Sequence, residues 1–128
     1  MASVRDFMQA ELTILSPSED VLGAMREMID AKISGAPVVD DHGNLVGILT
    51  QRDCLTVAFQ TSYHGERAGT VRDHMSFPVE TVSPSLSLAE VLEKFLRSPY
   101  RRFPVVLENQ LVGQISRRDV LRAVLEMA

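Results

Sequence analysis

The chain repeats itself, and the spacing of the repeat limits the folds that it can adopt. At an offset of 67 residues, Val4-Arg5-Asp6-Phe7-Met8 returns as Val71-Arg72-Asp73-His74-Met75, Ser16-Pro17-Ser18 as Ser83-Pro84-Ser85, and Pro37-Val38-Val39 as Pro104-Val105-Val106. From Gly47 and Gly113 onward the offset is 66, so the second copy has lost one residue in the intervening turn. Turns tolerate such losses, which supports the alignment. The duplication indicates two copies of one structural unit.

Each copy has the same predicted order of elements. A short strand near residues 12–15 or 79–82 precedes an amphipathic helix, in which apolar residues recur at helical spacing over 21–29 or 88–96. Two apolar runs separated by a short turn then predict hairpins, at 36–40 with 45–49 and at 103–107 with 111–115. The sequence therefore predicts an α+β fold of two pseudo-symmetric β-α-β-β-α units packed sheet to sheet.

A second helix closes each copy, at about 51–59 and 117–126. The predicted inward-facing residues of these helices are Leu55, Ala58 and Phe59 in the first copy and Val120, Leu121, Val124 and Leu125 in the second. The predicted boundaries are 1–59 for the first repeat, 60–70 for a polar linker with two glycines, and 71–128 for the second repeat.

A hydroxyl residue followed by an aspartate three positions later begins each closing helix. These motifs are Thr50-Gln51-Arg52-Asp53 and Ser116-Arg117-Arg118-Asp119. The spacing is that of a capping box, in which the hydroxyl residue is the N-cap. The first N–H groups of a helix can also bind an anion, so the same residues could hold a phosphate and a ribose. Spacing alone leaves capping and ligand binding both open.

Arginines accumulate around the second motif. Arg101 and Arg102 precede the strand at 103–107, and Arg117 and Arg118 follow Ser116. We expect these segments to meet at one end of the sheet, where guanidinium groups beside a helix N-terminus suit a polyphosphate. The alternative is that the arginines pair with Glu90, Glu93 or Glu108, or lie in a dimer interface.

Other classes of function are disfavoured by the sequence. The single cysteine, Cys54, and the histidines His42, His64 and His74 lack the spacing of a zinc site. Neither a nucleophile elbow nor a P-loop is present. The net charge of −4 disfavours nucleic-acid binding, since the first 67 residues hold 10 acidic and 5 basic side chains. Because no apolar run has the length of a membrane span or a signal peptide, we expect a soluble cytoplasmic protein without catalysis.

The duplicated pattern resembles a tandem pair of cystathionine-β-synthase (CBS) domains, also called a Bateman module. The resemblance rests on the repeated Val-Arg-Asp-x-Met, Ser-Pro and Pro-Val-Val segments and on Gly-x-x-Thr/Ser-x-x-Asp, and it covers nearly the whole chain. It implies clefts between the two repeats that hold adenosine-containing nucleotides. The implied nucleotide-binding residues are Thr50, Asp53, Ser116 and Asp119, with Ala36, Phe103 and their neighbours near the base. The accumulation of arginines adds Arg102, Arg117 and Arg118 as expected phosphate ligands.

The resemblance further implies a regulatory module that senses AMP, ADP or ATP and needs no cofactor. The apolar helices predict a homodimer. The signal would reach an effector protein on a separate chain, or the dimer would itself be the signal. The alternative function is a structural dimerisation module with empty clefts.

Overall fold

The computed structural model describes residues 2–63 and 67–127. The described chain consists of helices α1 (Val4–Phe7), α2 (Val21–Ala31), α3 (Gln51–Tyr63), α4 (Val71–His74), α5 (Leu88–Arg97) and α6 (Arg117–Met127), and of strands β1 (Gly35–Val39), β2 (Leu45–Thr50), β3 (Arg102–Leu107) and β4 (Gln110–Ser116). The predicted mixture of helices and strands is confirmed, and so are both hairpins. Helix α3 extends four residues into the predicted linker, whereas His64, also assigned to that linker, lies outside the described residues.

The chain forms two compact units that differ from the sequence repeats. The central unit is Thr13–Val79, and the terminal unit combines Met1–Leu12 with Glu80–Ala128. Each unit therefore contains a short segment that belongs, in the sequence alignment, to the other repeat. We call these the exchanged segments: residues 2–12 in the terminal unit and 70–79 in the central unit.

Each hairpin is extended on both sides by a single bridging residue. In the central unit, β1 pairs antiparallel with β2, Leu15 bridges in parallel to Val38, and Ser76 of the exchanged segment bridges to Ile48. The terminal unit repeats this order: β3 pairs with β4, Val82 bridges to Val105, and Gln9 bridges to Gln114. The short strands expected near 12–15 and 79–82 are thus reduced to one bridging residue each.

The exchanged segments begin with two short helices that were not predicted from the sequence, α1 and α4. Each is preceded by a hydroxyl residue and has an aspartate at its third position, and Ser3 with Asp6 and Thr70 with Asp73 form capping boxes. This is the signature already recognised at 50–53 and 116–119. The same pattern was present in the sequence and predicts the two additional helix starts.

The first long helix of each unit buries the face that its periodicity predicts. Val21, Ala24 and Met28 of α2 lie in the core of the central unit, and Leu88, Val91 and Phe95 of α5 lie in the core of the terminal unit. The predicted stripes are slightly too wide, because Ile29 and Leu96 at their ends are exposed.

The predicted inward faces of the closing helices are largely wrong. In α3 the fully buried residue is Val57, whereas Leu55 and Phe59 are exposed. In α6 Val120 and Ala123 are buried, whereas Leu121, Val124 and Leu125 are exposed. In both helices a buried residue, Val57 or Ala123, lies four residues, or about one turn, after the capping aspartate.

Candidate functional site

Helix α3 begins directly at the end of β2, and a reciprocal cap joins the two elements. The backbone N–H and the hydroxyl of Thr50 both donate to Oδ2 of Asp53, each at 2.9 Å, and the N–H of Asp53 donates to the Thr50 hydroxyl at 3.2 Å. The capping-box interpretation of the first motif is confirmed.

The second motif reproduces this geometry at the junction of β4 and α6. The N–H and the hydroxyl of Ser116 donate to Oδ2 of Asp119 at 2.8 and 2.9 Å, and the Asp119 N–H donates to the Ser116 hydroxyl at 3.1 Å. In both units the cap uses only Oδ2 of the aspartate, so Oδ1 can accept hydrogen bonds from other residues.

The residue after each repeated methionine contacts that second oxygen. In the central unit the Ser76 hydroxyl donates to Asp53 Oδ1 at 3.0 Å and also lies 3.2 Å from Oδ2. In the terminal unit Gln9 Nε2 donates to Asp119 Oδ1 at 3.1 Å. Gln9 and Ser76 occupy equivalent repeat positions, yet neither was predicted as a site residue, because the exchange of segments that brings them to the motifs is not encoded in local pattern.

The two carboxylates differ in accessibility. Asp119 is only 6% exposed, and besides Gln9 it has Arg122 nearby, with Nη1 3.9 Å from Oδ1. Asp53 is partly exposed, and its additional donor is the short Ser76 side chain. A ligand therefore reaches Asp53 more readily than Asp119.

The two arginine-bearing segments meet as the sequence predicts. Arg102 is paired with Ser116 in the register of β3 and β4. The N–H of Arg117 donates to the Arg101 carbonyl and its Nε donates to the Tyr100 carbonyl, both at 3.0 Å. Arg101, Arg117 and Arg118 are exposed and Arg102 is half-buried, so four arginines lie in the two segments that meet at the start of α6.

The electrostatics of this cluster favour an anion. Burial, and secondarily the charge of Arg101, lower the pKa of Arg102, although a guanidinium remains protonated at neutral pH. Two proposed carboxylate partners are engaged elsewhere: Glu93 pairs with Arg97 at 2.6 Å, and Glu90 accepts from the Ser87 N–H at the start of α5. Clustered cations that repel one another are stabilised by a bound phosphate.

The equivalent place in the central unit has less charge. Gly35 is paired with Thr50, and the Gln51 N–H donates to the Ser34 carbonyl at 2.9 Å, so the backbone arrangement is the same. Arg52 is the one arginine in this motif, where the terminal unit has Arg117 and Arg118. The two sites thus share a geometry and differ in charge.

Ala36 and Phe103, predicted to lie near a base, are completely buried in their respective cores. The Phe103 ring packs against Phe95, with ring centroids 4.7 Å apart, and against Tyr100 at 5.9 Å. Neither Ala36 nor Phe103 is accessible to a ligand in this structure. Tyr100, which packs against Phe103, is 48% exposed.

Cys54 lies next to Asp53 on α3 and is half-buried. Burial, with a smaller effect of the Asp53 charge, raises the pKa of its thiol, which keeps it protonated at neutral pH. Across residues 2–63 and 67–127, no group of three or more histidine, cysteine, aspartate or glutamate side chains is placed to hold a metal ion. Over the same ranges, no helix combines the length and apolar character that crossing a bilayer requires.

Comparison with known proteins identifies the repeated unit. A family model for the CBS domain matches residues 4–59 and again residues 71–126. The chain belongs to the CBS domain family. The match to two copies confirms the resemblance that the repeated segments indicated.

Two relatives resemble this pair over most of its length. The CBS domain-containing protein YhcV of Bacillus subtilis is 31% identical over 121 residues, which are 94% of this chain and 84% of that protein. An uncharacterized protein of Methanocaldococcus jannaschii is 28% identical over 119 residues, which are 93% of this chain, and here the CBS pair spans only 41% of the relative.

One relative of known crystal structure was solved in complex with a nucleotide. The crystal structure of CBSX2, an Arabidopsis thaliana CBS-pair protein, in complex with AMP superimposes with a TM-score of 0.88 at 30% identity. The alignment covers 99% of this CBS pair and 98% of that chain.

Proposed function

We propose that this CBS pair is a non-catalytic regulatory module that binds an adenine nucleotide where β2 meets α3 and where β4 meets α6. The observation that carries the proposal is the hydroxyl–aspartate pair at both helix starts, in a chain that is 30% identical to a protein solved with AMP. The N-terminal end of a helix attracts phosphate through its partial positive charge, and a carboxylate accepts hydrogen bonds from ribose hydroxyls.

Each residue of the proposed sites has a role that follows from its chemistry. Phosphate binds at the start of each helix, beside Thr50 and Ser116, and Asp53 and Asp119 bind ribose. Arg102, Arg117 and Arg118 bind the further phosphates of ADP or ATP in the terminal unit. The central unit, with Arg52 alone in its motif, suits AMP or a less charged ligand.

Homodimerisation is part of the proposal, and it is also the basis of a second candidate function, a structural dimerisation module with empty sites. The observation that favours it is the set of large apolar side chains exposed on the helices: Leu22, Ile29, Leu55, Phe59, Leu96, Leu121 and Leu125. Large apolar side chains exposed on helices are a feature of protein–protein interfaces. We further propose that the dimer acts in the cytoplasm on an effector protein carried by another chain.

Thermal unfolding with adenosine, AMP, ADP and ATP tests nucleotide binding, since a ligand that binds only the folded chain raises the melting temperature. At a hundredfold excess over Kd the stabilisation is about 2.7 kcal/mol. The wild-type protein should respond, and the double variant Asp53→Ala with Asp119→Ala should not. A wild-type protein that no adenine nucleotide stabilises would leave the structural dimer as the better proposal.

Light scattering tests the dimer separately. Leu55→Glu and Leu121→Glu place a charge on the exposed apolar faces of α3 and α6, and we expect each to shift the mass toward the monomer. Thr56→Glu is the matched control, because Thr56 is also exposed on α3 but is polar. A wild-type monomer at tens of micromolar protein would contradict the proposed dimer.

A further inference from the structure

We propose that Gln9 is a specificity-determining residue of the terminal unit, because its side chain competes with the ribose of a bound nucleotide for Asp119. The inference rests on the proposed function and adds to it a residue from outside the motif. It also implies that the two sites differ in their affinity for ribose, independently of their arginines.

The hydrogen-bonding capacity of Asp119 is largely used in the absence of ligand. A carboxylate offers about four acceptor positions. Oδ2 accepts two hydrogen bonds from Ser116, and Oδ1 accepts one from Gln9 Nε2, with the Arg122 guanidinium 3.9 Å away. Since Asp119 is only 6% exposed, the two hydroxyls of a ribose reach Oδ1 only after a neighbouring side chain moves.

Gln9 is the neighbour that can move at least cost. The Ser116 donors belong to the helix cap, so their displacement would disrupt the start of α6. The side chain of Gln9 is exposed, whereas its backbone is fixed: its N–H donates to the Gln114 carbonyl at 2.8 Å, and the Gln114 N–H donates to the Gln9 carbonyl at 2.9 Å. The amide group can therefore rotate away from Asp119 while the strand pairing stays intact.

This competition is weaker in the central unit. Ser76 holds the equivalent place, but a hydroxyl both donates and accepts, so it can rotate to accept a hydrogen bond when a ribose takes its position on Asp53. The Gln9 amide likewise carries both donor and acceptor atoms, so the difference between the two sites is one of access. A ribose must move the longer Gln9 side chain to reach Asp119, which is only 6% exposed, whereas Asp53 is partly exposed beside the shorter Ser76.

Two opposing effects follow for the terminal site. The arginines increase the affinity for phosphate groups, and Gln9 decreases the affinity for the ribose diol. The penalty should be smaller for a 2′-deoxynucleotide, because a single hydroxyl needs only one of the acceptor positions of Oδ1.

Calorimetric titration of Gln9→Met with ADP and with 2′-deoxy-ADP tests the inference. Methionine has a similar length and lacks a donor, and the background Asp53→Ala leaves the terminal site with the intact carboxylate. We expect Gln9→Met to bind ADP roughly three- to tenfold more tightly, the equivalent of one net hydrogen bond, with a smaller gain for 2′-deoxy-ADP. Ser76→Ala in an Asp119→Ala background is the matched control and should change ADP affinity less.

The outcomes separate this inference from the proposed function. Tighter ADP binding by Gln9→Met supports both, and so does binding that is detected only in that variant. Binding that Asp119→Ala abolishes but Gln9→Met leaves unchanged or weakens would overturn the role of Gln9 and retain the nucleotide site. An equal gain for both nucleotides would also overturn it. If neither the wild-type protein nor Gln9→Met binds either nucleotide, the inference and the proposed function both fail.

Discussion

Gly113 leaves no room for a side chain beneath Met8, since a Cβ at Gly113 would lie 2.7 Å from the Met8 sulfur and 2.9 Å from the Gln9 carbonyl oxygen. The equivalent Cβ at Gly47 would lie 2.5 Å from the sulfur of Met75 and 3.2 Å from the Ser76 carbonyl oxygen. The glycine of each repeat is therefore required by the close approach of an exchanged segment to a strand.

Substituting these glycines should destabilise the protein in a defined order. Gly113→Ala meets both a side chain and a backbone atom, and we expect a loss of about 2–3 kcal/mol in the free energy of unfolding. Gly47→Ala chiefly meets the flexible end of Met75, so its cost should be smaller. Gly23→Ala in α2, where the nearest atom is 3.8 Å away, should be neutral or stabilising. Urea unfolding measures all three, and equal effects would contradict the close-approach explanation.

Substitutions at Val57 and Leu55 should distinguish an effect on folding stability from an effect on dimerisation. Val57 is fully buried, so Val57→Ala should lower the free energy of unfolding by about 2 kcal/mol. Leu55 is 69% exposed, so Leu55→Ala should change the stability of an isolated chain by less than about 0.5 kcal/mol and weaken dimerisation instead. Denaturation of dilute protein gives the stabilities, and sedimentation gives the association. A larger loss from Leu55→Ala in dilute protein would contradict the observed phase of α3.

Asp119→Ala should affect two quantities at once. Loss of the cap to Ser116 should cost about 1 kcal/mol of stability. Loss of the ribose acceptor should weaken ADP binding by about 1.5–3 kcal/mol, as expected for a hydrogen bond to a charged group. Unfolding and titration of the same variant give both values. Reduced stability with unchanged affinity would assign Asp119 to capping alone.

The arginines of the terminal unit should select for phosphate number. Replacing Arg102 and Arg118 with alanine should reduce ADP affinity more than adenosine affinity. Added salt should decrease the wild-type preference for ADP, because exposed charge pairs are screened. Titration with adenosine, AMP and ADP at two salt concentrations measures this, with Arg26→Ala as the control, since Arg26 is exposed on α2 of the other unit. Two sites of equal affinity for ADP would contradict the assignment.

The stability of the protein should decline in acid through its exposed capping carboxylates. Hydrogen bonds from the Thr70 backbone N–H, and secondarily from its hydroxyl, lower the pKa of Asp73, and those from Ser87 lower the pKa of Glu90 in the same way. Because the folded pKa lies below the unfolded value, this stabilisation is complete above about pH 4.5 and is lost as the pH falls. Melting temperatures between pH 6 and 3 should fall less steeply for Thr70→Val than for the wild-type protein.

The sequence predicted those features that depend on local pattern. Spacing along the chain predicts the repeat, both hairpins, the caps at Thr50 and Ser116, and the meeting of Arg102 with Arg117. The exposed faces of α3 and α6 could not be predicted in this way, because apolar residues lie on more than one side of these helices. Periodicity then cannot distinguish Val57 from Leu55, and only the structure shows that Val57 is the buried residue.

Gln9 and Ser76 show the second limit of the sequence. Their role depends on contacts over 110 and 23 residues, which result from the exchange of segments between repeats. A repeat alignment marks the two positions as equivalent but cannot say that each one serves the motif of the opposite repeat.

The exchange of segments also has a consequence for the order in which the chain can fold during synthesis. The central unit is continuous, so all its residues are available once Val79 has left the ribosome. Residues 2–12 are made before the central unit, yet Gln114, which bridges to Gln9, is made more than a hundred residues later. The earlier segment must therefore wait for its partner, and a protease present during translation would find Met8 and Gln9 accessible until Gln114 has been made.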